Sequence, residues 1–344
     1  MLINLETRMK KSVLVTLADQ KYVLQAKQLF AGAHFNAGWT GDMLLLSHNI
    51  PDKILTWFTK RGIFIKQCQP LSDVGKWRPV SSSKLYLFTQ DMKKWDKVLY
   101  LDSDIVVRAS LERLQDVIGY AVAPELDRQT LFNQFKFPNK KAWMIFKSVE
   151  RKLRKNYRTS DLSFNTGVIA YSTDIIKKKT FEKLVFILNL SKDISAFGEQ
   201  TAQNLFFYKK WRPLPVVYNL LPLLYIDKYN IKQDKIQGIN LHFAGLTSAI
   251  KPWNPENPYY REWKDNLKKA DLIDRNRIPK SLEIWSKERI WITEICLRLR
   301  RQLYLPKNIR FHSTYIWISI LQIISRQYIS DLYFFIKKIF ATSQ

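Results

Sequence analysis

Short apolar runs alternate with helix-periodic stretches through the first hundred residues, and this alternation constrains the fold more than any other feature of the chain. The pattern predicts strands at 12–19, 42–47, 63–65, 96–101, 120–123 and 168–171, and helices at 20–35, 51–62 and 81–94. Strands and helices that alternate in this way over the first hundred residues indicate a parallel α/β sheet. Ligands bind such sheets at the carboxyl ends of strands, where Asp19 and the pair Asp102 and Asp104 would lie.

Residues 95–107, WDKVLYLDSDIVV, place two carboxylates inside an apolar run. Alternation along a strand would turn Asp102 and Asp104 toward the same side. Carboxylates within an apolar segment need a partner that compensates for their burial, and oxygen ligands of this kind suit Mg²⁺ or Mn²⁺. The segment therefore predicts a divalent metal site that bridges to substrate phosphates. A turn rich in Asp at a strand end is the alternative interpretation.

Net charge and cysteine content limit the class of partner and the compartment. The chain has 344 residues and a net charge of +26, which indicates an anionic partner: a membrane surface, a nucleic acid or a polyanionic substrate. Cys68 and Cys296 are isolated and form no disulfide framework, which favours a reducing compartment. The apolar run near the N-terminus is too short for a signal peptide and contains Asp19. We therefore expect a cytoplasmic protein.

Two regions are strongly basic. Residues 136–158 contain nine Lys and Arg against one acid, Glu150. They predict either a solvated helix face or a basic flap over an anionic substrate or membrane. Residues 276–344 interleave basic and aromatic residues, and the longest uncharged run in this tail, 311–325, is shorter than the roughly 20 residues that span a bilayer. The tail therefore predicts amphipathic helices on an anionic membrane surface, or else a helical cap packed on the core.

Five ordered segments carry a family resemblance. They are VTLADQKY (15–22), WDKVLYLDSDIVV (95–107), LSFNTGVIAY (162–171), GEQTAQN (198–204) and INLHFAGLTSAIKPWN (239–254). With these segments, the chain from Ser12 to Trp253 resembles the retaining nucleotide-sugar glycosyltransferases of family 8, which include glycogenin and bacterial lipopolysaccharide galactosyl- and glucosyltransferases. The resemblance implies a GT-A fold, a Rossmann-like mixed sheet flanked by helices. This catalytic domain would occupy residues 1–275, followed by the basic helical tail at 276–344.

The resemblance also implies a UDP-sugar donor held through a divalent ion, usually Mn²⁺ and alternatively Mg²⁺. The metal ligands implied are Asp102, Asp104 and His242. The donor-binding positions implied are Asp19, Tyr22, Lys84, Asp102, Ser103, Glu125, Asp127, Gly245 and Lys251. The positions implied to line the donor sugar and act in catalysis are Gln200, Glu199 and Asn165. This chain departs from the family at Glu199, where Asp is usual, and in a spacing from Gly245 to Lys251 that is three residues longer.

The reaction implied is transfer of a hexose from UDP to a hydroxyl of a glycan acceptor with retention of configuration. Because Gln200 is a poor nucleophile, a front-face substitution is favoured over a covalent intermediate. A tail on the cytoplasmic face of the membrane would indicate a lipid-linked acceptor, such as lipopolysaccharide core or another surface polysaccharide. Two alternatives stay open, a nucleic-acid-binding protein and an inactive family member that acts as a scaffold. No nucleic acid partner is expected, because no nucleic-acid-binding motif occurs.

Overall fold

The computed structural model describes residues 11–69, 71, 79–125, 130–136, 139–227, 231–245, 251–274, 276–277 and 279–303, with side chains as far as residue 298. The predicted donor-binding residue Asp127 and the tail beyond residue 303 lie outside the described residues. The chain divides into two compact units, Met1–Trp291 and Ile292–Gln344. All of the site residues considered below belong to the first unit.

The described residues form the following strands: β1 (Ser12–Asp19), β2 (Asp42–His48), β3 (Phe64–Gln67), β4 (Lys97–Leu101), β5 (Ile105–Val107), β6 (Tyr120–Pro124), β7 (Phe164–Ser172), β8 (Trp211–Pro213) and β9 (Asn240–His242). They form the following helices: α1 (Val23–Phe35), α2 (Asp52–Thr59), α3 (Pro79–Ser82), α4 (Lys140–Leu153), α5 (Thr180–Ser191), α6 (Glu199–Phe206), α7 (Pro222–Asp227), α8 (Tyr260–Lys269) and α9 (Lys287–Leu303).

The larger sheet has seven strands in the order β3-β2-β1-β4-β7-β6-β8. The first four are parallel, whereas β7 runs antiparallel to both of its neighbours, β4 and β6. The apolar residues of β1 and β4 are buried along the whole length of each strand, as expected for central strands with both faces covered. The sheet is therefore mixed, which agrees with the fold that the resemblance implied.

A second, two-stranded sheet pairs β5 with β9 and gives the region of interest its geometry. After β4 the chain leaves the large sheet, turns through Asp102-Ser103-Asp104, and enters the small sheet at Ile105. In the antiparallel register Ile105 pairs with His242. The sequence expectation that strand alternation orients both carboxylates is wrong, because they lie in the turn between two sheets. It is the turn and the cross-strand pairing that bring His242 beside them.

The predicted helix at 81–94 is also wrong in form. The chain makes the short helix α3 and then two 3₁₀ helices, Ser83–Phe88 and Gln90–Lys94, separated by Thr89 in an extended conformation (φ −78°, ψ 157°). Serines compete with the helical backbone for hydrogen bonds, and three of them precede Lys84. The irregular segment carries Lys84 into the interior, where it is only 4% exposed.

The basic region at 136–158 forms α4 and the turn after it. Its basic side chains are mostly exposed, and Trp143 and Met144 are exposed on the same helix. Both interpretations from the sequence, a solvated face and a flap, are compatible with this placement. Among the described residues, no helix is long and apolar enough to cross a membrane.

Candidate active site

Two carboxylates and one imidazole converge where β4 gives way to β5. The ligand atoms of Asp102, Asp104 and His242 all lie within 4.8 Å of one another. His242 Nε2 is 3.3 Å from Asp104 Oδ1 and 3.7 Å from Asp102 Oδ2. The imidazole is 2% exposed, whereas Asp102 retains 27% of its side-chain exposure and Asp104 13%. The cluster is therefore anchored on a buried ring and opens to solvent on its carboxylate side.

The second oxygen of each carboxylate contacts a lysine. Lys84 Nζ lies 3.0 Å from Asp102 Oδ1, an oxygen that also accepts a 2.6 Å hydrogen bond from the Tyr100 hydroxyl. Lys251 Nζ lies 2.5 Å from Asp104 Oδ2 and donates to the carbonyl of Phe243 at 2.7 Å. Each aspartate thus directs one oxygen to a cation and the other toward His242.

These contacts set the protonation of the carboxylates. Burial would raise the pKa of Asp104, but the charge of Lys251 beside it outweighs burial and holds that pKa well below its usual range. Burial would lower the pKa of Lys84, but Asp102 and Glu199 raise it to about 12. Asp104 is therefore ionised and Lys84 charged at neutral pH.

The donor set fits a divalent cation. Asp102 Oδ2, Asp104 Oδ1 and His242 Nε2 point into one space, and two carboxylate oxygens with an imidazole nitrogen suit Mn²⁺ or Mg²⁺. Three protein ligands on a partly exposed rim leave coordination positions for oxygens of a bound phosphate. The three residues that the resemblance implied as metal ligands thus lie together in a geometry that can hold the ion.

Glu199 and Gln200 begin α6 and join the same network. Glu199 Oε1 is 3.2 Å from Lys84 Nζ, so this lysine bridges Glu199 and Asp102. Burial raises the pKa of Glu199, and Lys84 opposes that rise. Gln200 accepts from the backbone N–H of Thr166 at 3.1 Å and donates to Glu125 Oε2 at 3.0 Å. The Thr166 hydroxyl lies 3.4 Å from Glu199 Oε1 and 3.5 Å from Gln200 Oε1 and links the two. Together with Thr166, the predicted residues Lys84, Glu199, Gln200 and Glu125 therefore form one continuous polar chain that begins at Asp102.

The predicted residues of the first loop approach the site from another side. Asp19 caps the turn after β1 by accepting from the backbone N–H groups of Lys21 and Tyr22. The Tyr22 ring makes an edge contact with Trp253 at 5.7 Å, and Lys251 Nζ lies 5.6 Å from the Trp253 ring centroid. Through this contact the first loop reaches the lysine that pairs with Asp104.

Two further predicted residues are backbone positions. Ser103 is buried in the turn, and its carbonyl accepts a 3.4 Å hydrogen bond from Gln28. Gly245 has φ of +136°, a conformation that favours glycine, three residues after His242. Residues 246–250, which account for the longer spacing to Lys251, lie outside the described residues. The donor-binding roles of all these positions stay predictions.

Sequence reasoning missed three residues that support the cluster, Thr166, Gly167 and Asn219. Asn165, a predicted catalytic residue, accepts from the Gly167 N–H at 2.8 Å and from Asn219 Nδ2 at 2.9 Å. Thr166 receives Lys84 on its carbonyl at 3.2 Å, and Gly167 accepts from the Asp102 N–H at 2.8 Å. Asn219 stands alone as a polar residue in VVYNLL, a signal of a specific buried hydrogen bond.

Comparison with solved structures identifies the fold. A galactosyltransferase, LgtC, solved with donor and acceptor sugar analogs, superimposes with a TM-score of 0.53 at 16% identity, over 82% of this chain and 99% of the other. The bifunctional glycosyltransferase WbbM gives a TM-score of 0.53 at 17% identity, over 78% and 52%. The fold is that of the GT-A glycosyltransferases.

Comparison of sequences identifies the family. Residues 67–257 match Glycosyl transferase family 8, so the chain belongs to this family and the resemblance found in the sequence is confirmed. Galactinol synthase 1 of Ajuga reptans is 24% identical over 243 residues, or 65% of this chain and 66% of the relative. Glycosyltransferase GlyB of Streptococcus pneumoniae is 26% identical over 212 residues, or 55% and 45%. The match thus spans less than two thirds of the length of these relatives.

Proposed function

We propose that this glycosyltransferase moves a hexose from a UDP-sugar to an acceptor hydroxyl with retention of configuration, using a divalent cation held by Asp102, Asp104 and His242. The observation that carries the proposal is the convergence of these three ligand atoms within 4.8 Å in a family 8 chain. The intact charge network around them argues against an inactive scaffold, because buried carboxylates without a use would be costly to retain.

Charge stabilisation of the leaving group is the main catalytic task. A bound divalent cation would supply Lewis-acid neutralisation of the UDP diphosphate. Lys251, held beside Asp104, places a second positive charge at the same edge of the site. Because protein charges that are positioned in advance need no reorganisation during the reaction, this arrangement favours departure of UDP.

The side chains near the donor sugar favour a front-face substitution. The bond from the anomeric carbon to the β-phosphate oxygen breaks, and the bond to the acceptor oxygen forms on the same face. The acceptor proton passes to the departing β-phosphate oxygen. Gln200 is held by Thr166 and Glu125 and serves to position the donor, since an amide is a poor nucleophile compared with the carboxylates of retaining glycosidases.

We further propose that the acceptor is a glycan or lipid-linked glycan of a surface polysaccharide, such as lipopolysaccharide, and that the enzyme works on the cytoplasmic face of a membrane. The net charge of +26 and the basic, aromatic tail support attraction to anionic lipid. A second candidate function is galactinol synthesis, because most of the curated relatives are galactinol synthases.

A donor and acceptor screen tests the proposal. Purified protein is incubated with UDP-glucose, UDP-galactose and their N-acetyl forms, with Mn²⁺ or with EDTA, and UDP release is measured. We expect release from one donor that requires the metal, and faster release with the correct acceptor. Stimulation by a soluble polyol such as inositol rather than by lipid-linked glycan would favour the second candidate. Absence of turnover with every donor, or turnover that needs no metal, would contradict the proposal.

A further inference from the structure

We propose that Asn219 is a positioning residue that keeps a proton on Nδ1 of His242 and so reserves Nε2 for the metal. The inference rests on the proposed metal site. It concerns a residue that touches neither the carboxylates nor the space between them. A chain of hydrogen bonds from the Gly167 N–H through Asn165 and Asn219 to His242 fixes which atom donates at each step.

The direction of the chain is fixed by a backbone donor. Gly167 N–H donates at 2.8 Å to Asn165 Oδ1, which must therefore be the amide oxygen. Asn219 lies 2.9 Å from that oxygen and can approach it only with its NH₂ group. The amide of Asn219 is thereby oriented, and its own oxygen faces His242 Nδ1 at 2.7 Å.

An amide oxygen only accepts hydrogen bonds, so His242 must donate from Nδ1. In the neutral ring Nε2 then carries the lone pair, and Nε2 is the atom that faces Asp104 Oδ1 at 3.3 Å and Asp102 Oδ2 at 3.7 Å. Three acceptor atoms thus meet, an arrangement that a cation stabilises. Metal-binding histidines commonly have their second nitrogen held in this way by a neighbouring acceptor.

Packing prevents the ring from turning to escape this constraint. A Cβ added at Gly167 would lie 2.2 Å from His242 Cε1 and 2.6 Å from Nδ1, so the ring rests directly on the glycine backbone. The backbone N–H of His242 donates to Leu220, the neighbour of Asn219, at 2.7 Å. Asn219 and the ring are consequently fixed by the same stretch of main chain.

Two substitutions separate the positioning role from packing. Asn219→Leu removes both hydrogen bonds at similar volume. Asn219→Asp keeps an acceptor for Nδ1, loses the donor to Asn165 and adds a negative charge that also favours the Nδ1 proton. Asn266→Leu is the matched control, because Asn266 is about as buried (4% against 3%) and its amide bonds to Asn36 instead of a metal ligand.

Two measurements test the role of Asn219, and neither needs a sugar donor or a glycan acceptor. Nitrogen NMR of metal-free ¹⁵N-histidine protein distinguishes the two ring tautomers, and at pH about 9, where an ordinary imidazole is neutral, it should show the single ring proton of His242 on Nδ1. Electron paramagnetic resonance titration with Mn²⁺ should show affinity roughly 10–100-fold weaker in Asn219→Leu. Asn219→Asp should bind Mn²⁺ at least as tightly as wild type, because a carboxylate on Nδ1 increases the basicity of Nε2, and Asn266→Leu should stay within a few-fold of wild type.

A proton on Nε2 in the metal-free wild type at that pH would overturn the inference, and so would wild-type Mn²⁺ affinity in folded Asn219→Leu. If Asn219→Leu does not fold, the wild-type spectrum and the affinity of Asn219→Asp still decide. These results are independent of the proposed function. A protein that turns over no UDP-sugar can still show the proton on Nδ1 and the expected ranking of Mn²⁺ affinities among the variants.

Discussion

Lys84 shows how a single residue links the candidate metal ligand Asp102 to helix α6. Its ammonium group is buried and lies within 3.2 Å of both Asp102 and Glu199. Burial alone would favour the neutral amine, yet the two carboxylates raise the pKa of Lys84 to about 12. The two carboxylates stabilise the buried ammonium charge of Lys84, and Lys84 in turn stabilises the charges of the two carboxylates.

We therefore expect Lys84→Met to destabilise the fold by about 3–5 kcal/mol, because it leaves two carboxylates without their shared cation. Adding Glu199→Gln should recover part of that loss, since one of the uncompensated charges is then removed. Urea unfolding of the single and double variants measures both effects. Equal stability of Lys84→Met and wild type would contradict the role of Lys84 as a buried cation. A double variant whose loss of unfolding free energy equals or exceeds the sum of the two single losses would contradict the pairing of Lys84 with Glu199.

At the scale of elements, strand β7 organises the site more than any other. Its segment Asn165-Thr166-Gly167 contacts Asp102 through a backbone hydrogen bond, Lys84 through a carbonyl, and His242 through direct packing. One strand therefore positions residues from three distant parts of the chain. This explains why a glycine lies within a strand, where it would otherwise weaken the sheet.

Gly167→Ala should displace the His242 ring, because the new methyl group would lie 2.2 Å from Cε1. We expect Mn²⁺ affinity to fall by at least about 10-fold, the lower end for disturbed metal-ligand support. Ala170→Gly, in the same strand, serves as the control that weakens the strand without touching the ring. Mn²⁺ titration and thermal unfolding of both variants separate the two effects, and unchanged Mn²⁺ affinity in Gly167→Ala would refute the packing role.

Six of the seven strands of the large sheet were predictable because buried apolar runs mark them directly, and β1, β2 and β4 lie within a residue or two of the expected positions. The short edge strand β8 was not predicted, and β7 begins four residues before its expected start. The turn at Asp102–Asp104 was not predictable, because the local pattern favours a single strand through both β4 and β5. Only pairing with distant β9 shows that the chain changes sheets there. The same limit applies to Asn219, whose partner lies 54 residues earlier in the chain.

At the scale of the whole molecule, the fold brings residues from five separated family 8 segments into one network of contacts. Motif resemblance identified the candidate ligands Asp102, Asp104 and His242, and in the fold their ligand atoms lie within 4.8 Å of one another. The proposed donor chemistry belongs to this site. The net charge of +26 and the basic tail instead bear on the separate proposal that the enzyme works at a membrane surface.

We expect removal of residues 310–344 to release the protein from anionic vesicles while donor hydrolysis continues. The reason is that basic and aromatic residues in an amphipathic segment bind anionic interfaces. Co-sedimentation with phosphatidylserine vesicles measures binding, and neutral phosphatidylcholine vesicles are the control. A truncated protein that still sediments with anionic vesicles would refute the role of the tail.

The metal-dependent donor reaction is the central claim, and Asp104→Asn tests it most directly. Asp104 contributes one oxygen to the cluster and is held ionised by Lys251, so an Asn at this position should bind the cation poorly at nearly unchanged shape. Asp174→Asn, an exposed carboxylate remote from the cluster in sequence, is the matched control.

UDP release is measured across a Mn²⁺ titration for wild type and both variants, with folding checked by circular dichroism. We expect the wild type and Asp174→Asn to require Mn²⁺, and folded Asp104→Asn to lose at least about 100-fold in rate, equivalent to about 2.7 kcal/mol of transition-state stabilisation. Wild-type turnover by Asp104→Asn, or equal wild-type turnover in Mn²⁺ and in EDTA, would contradict the claim.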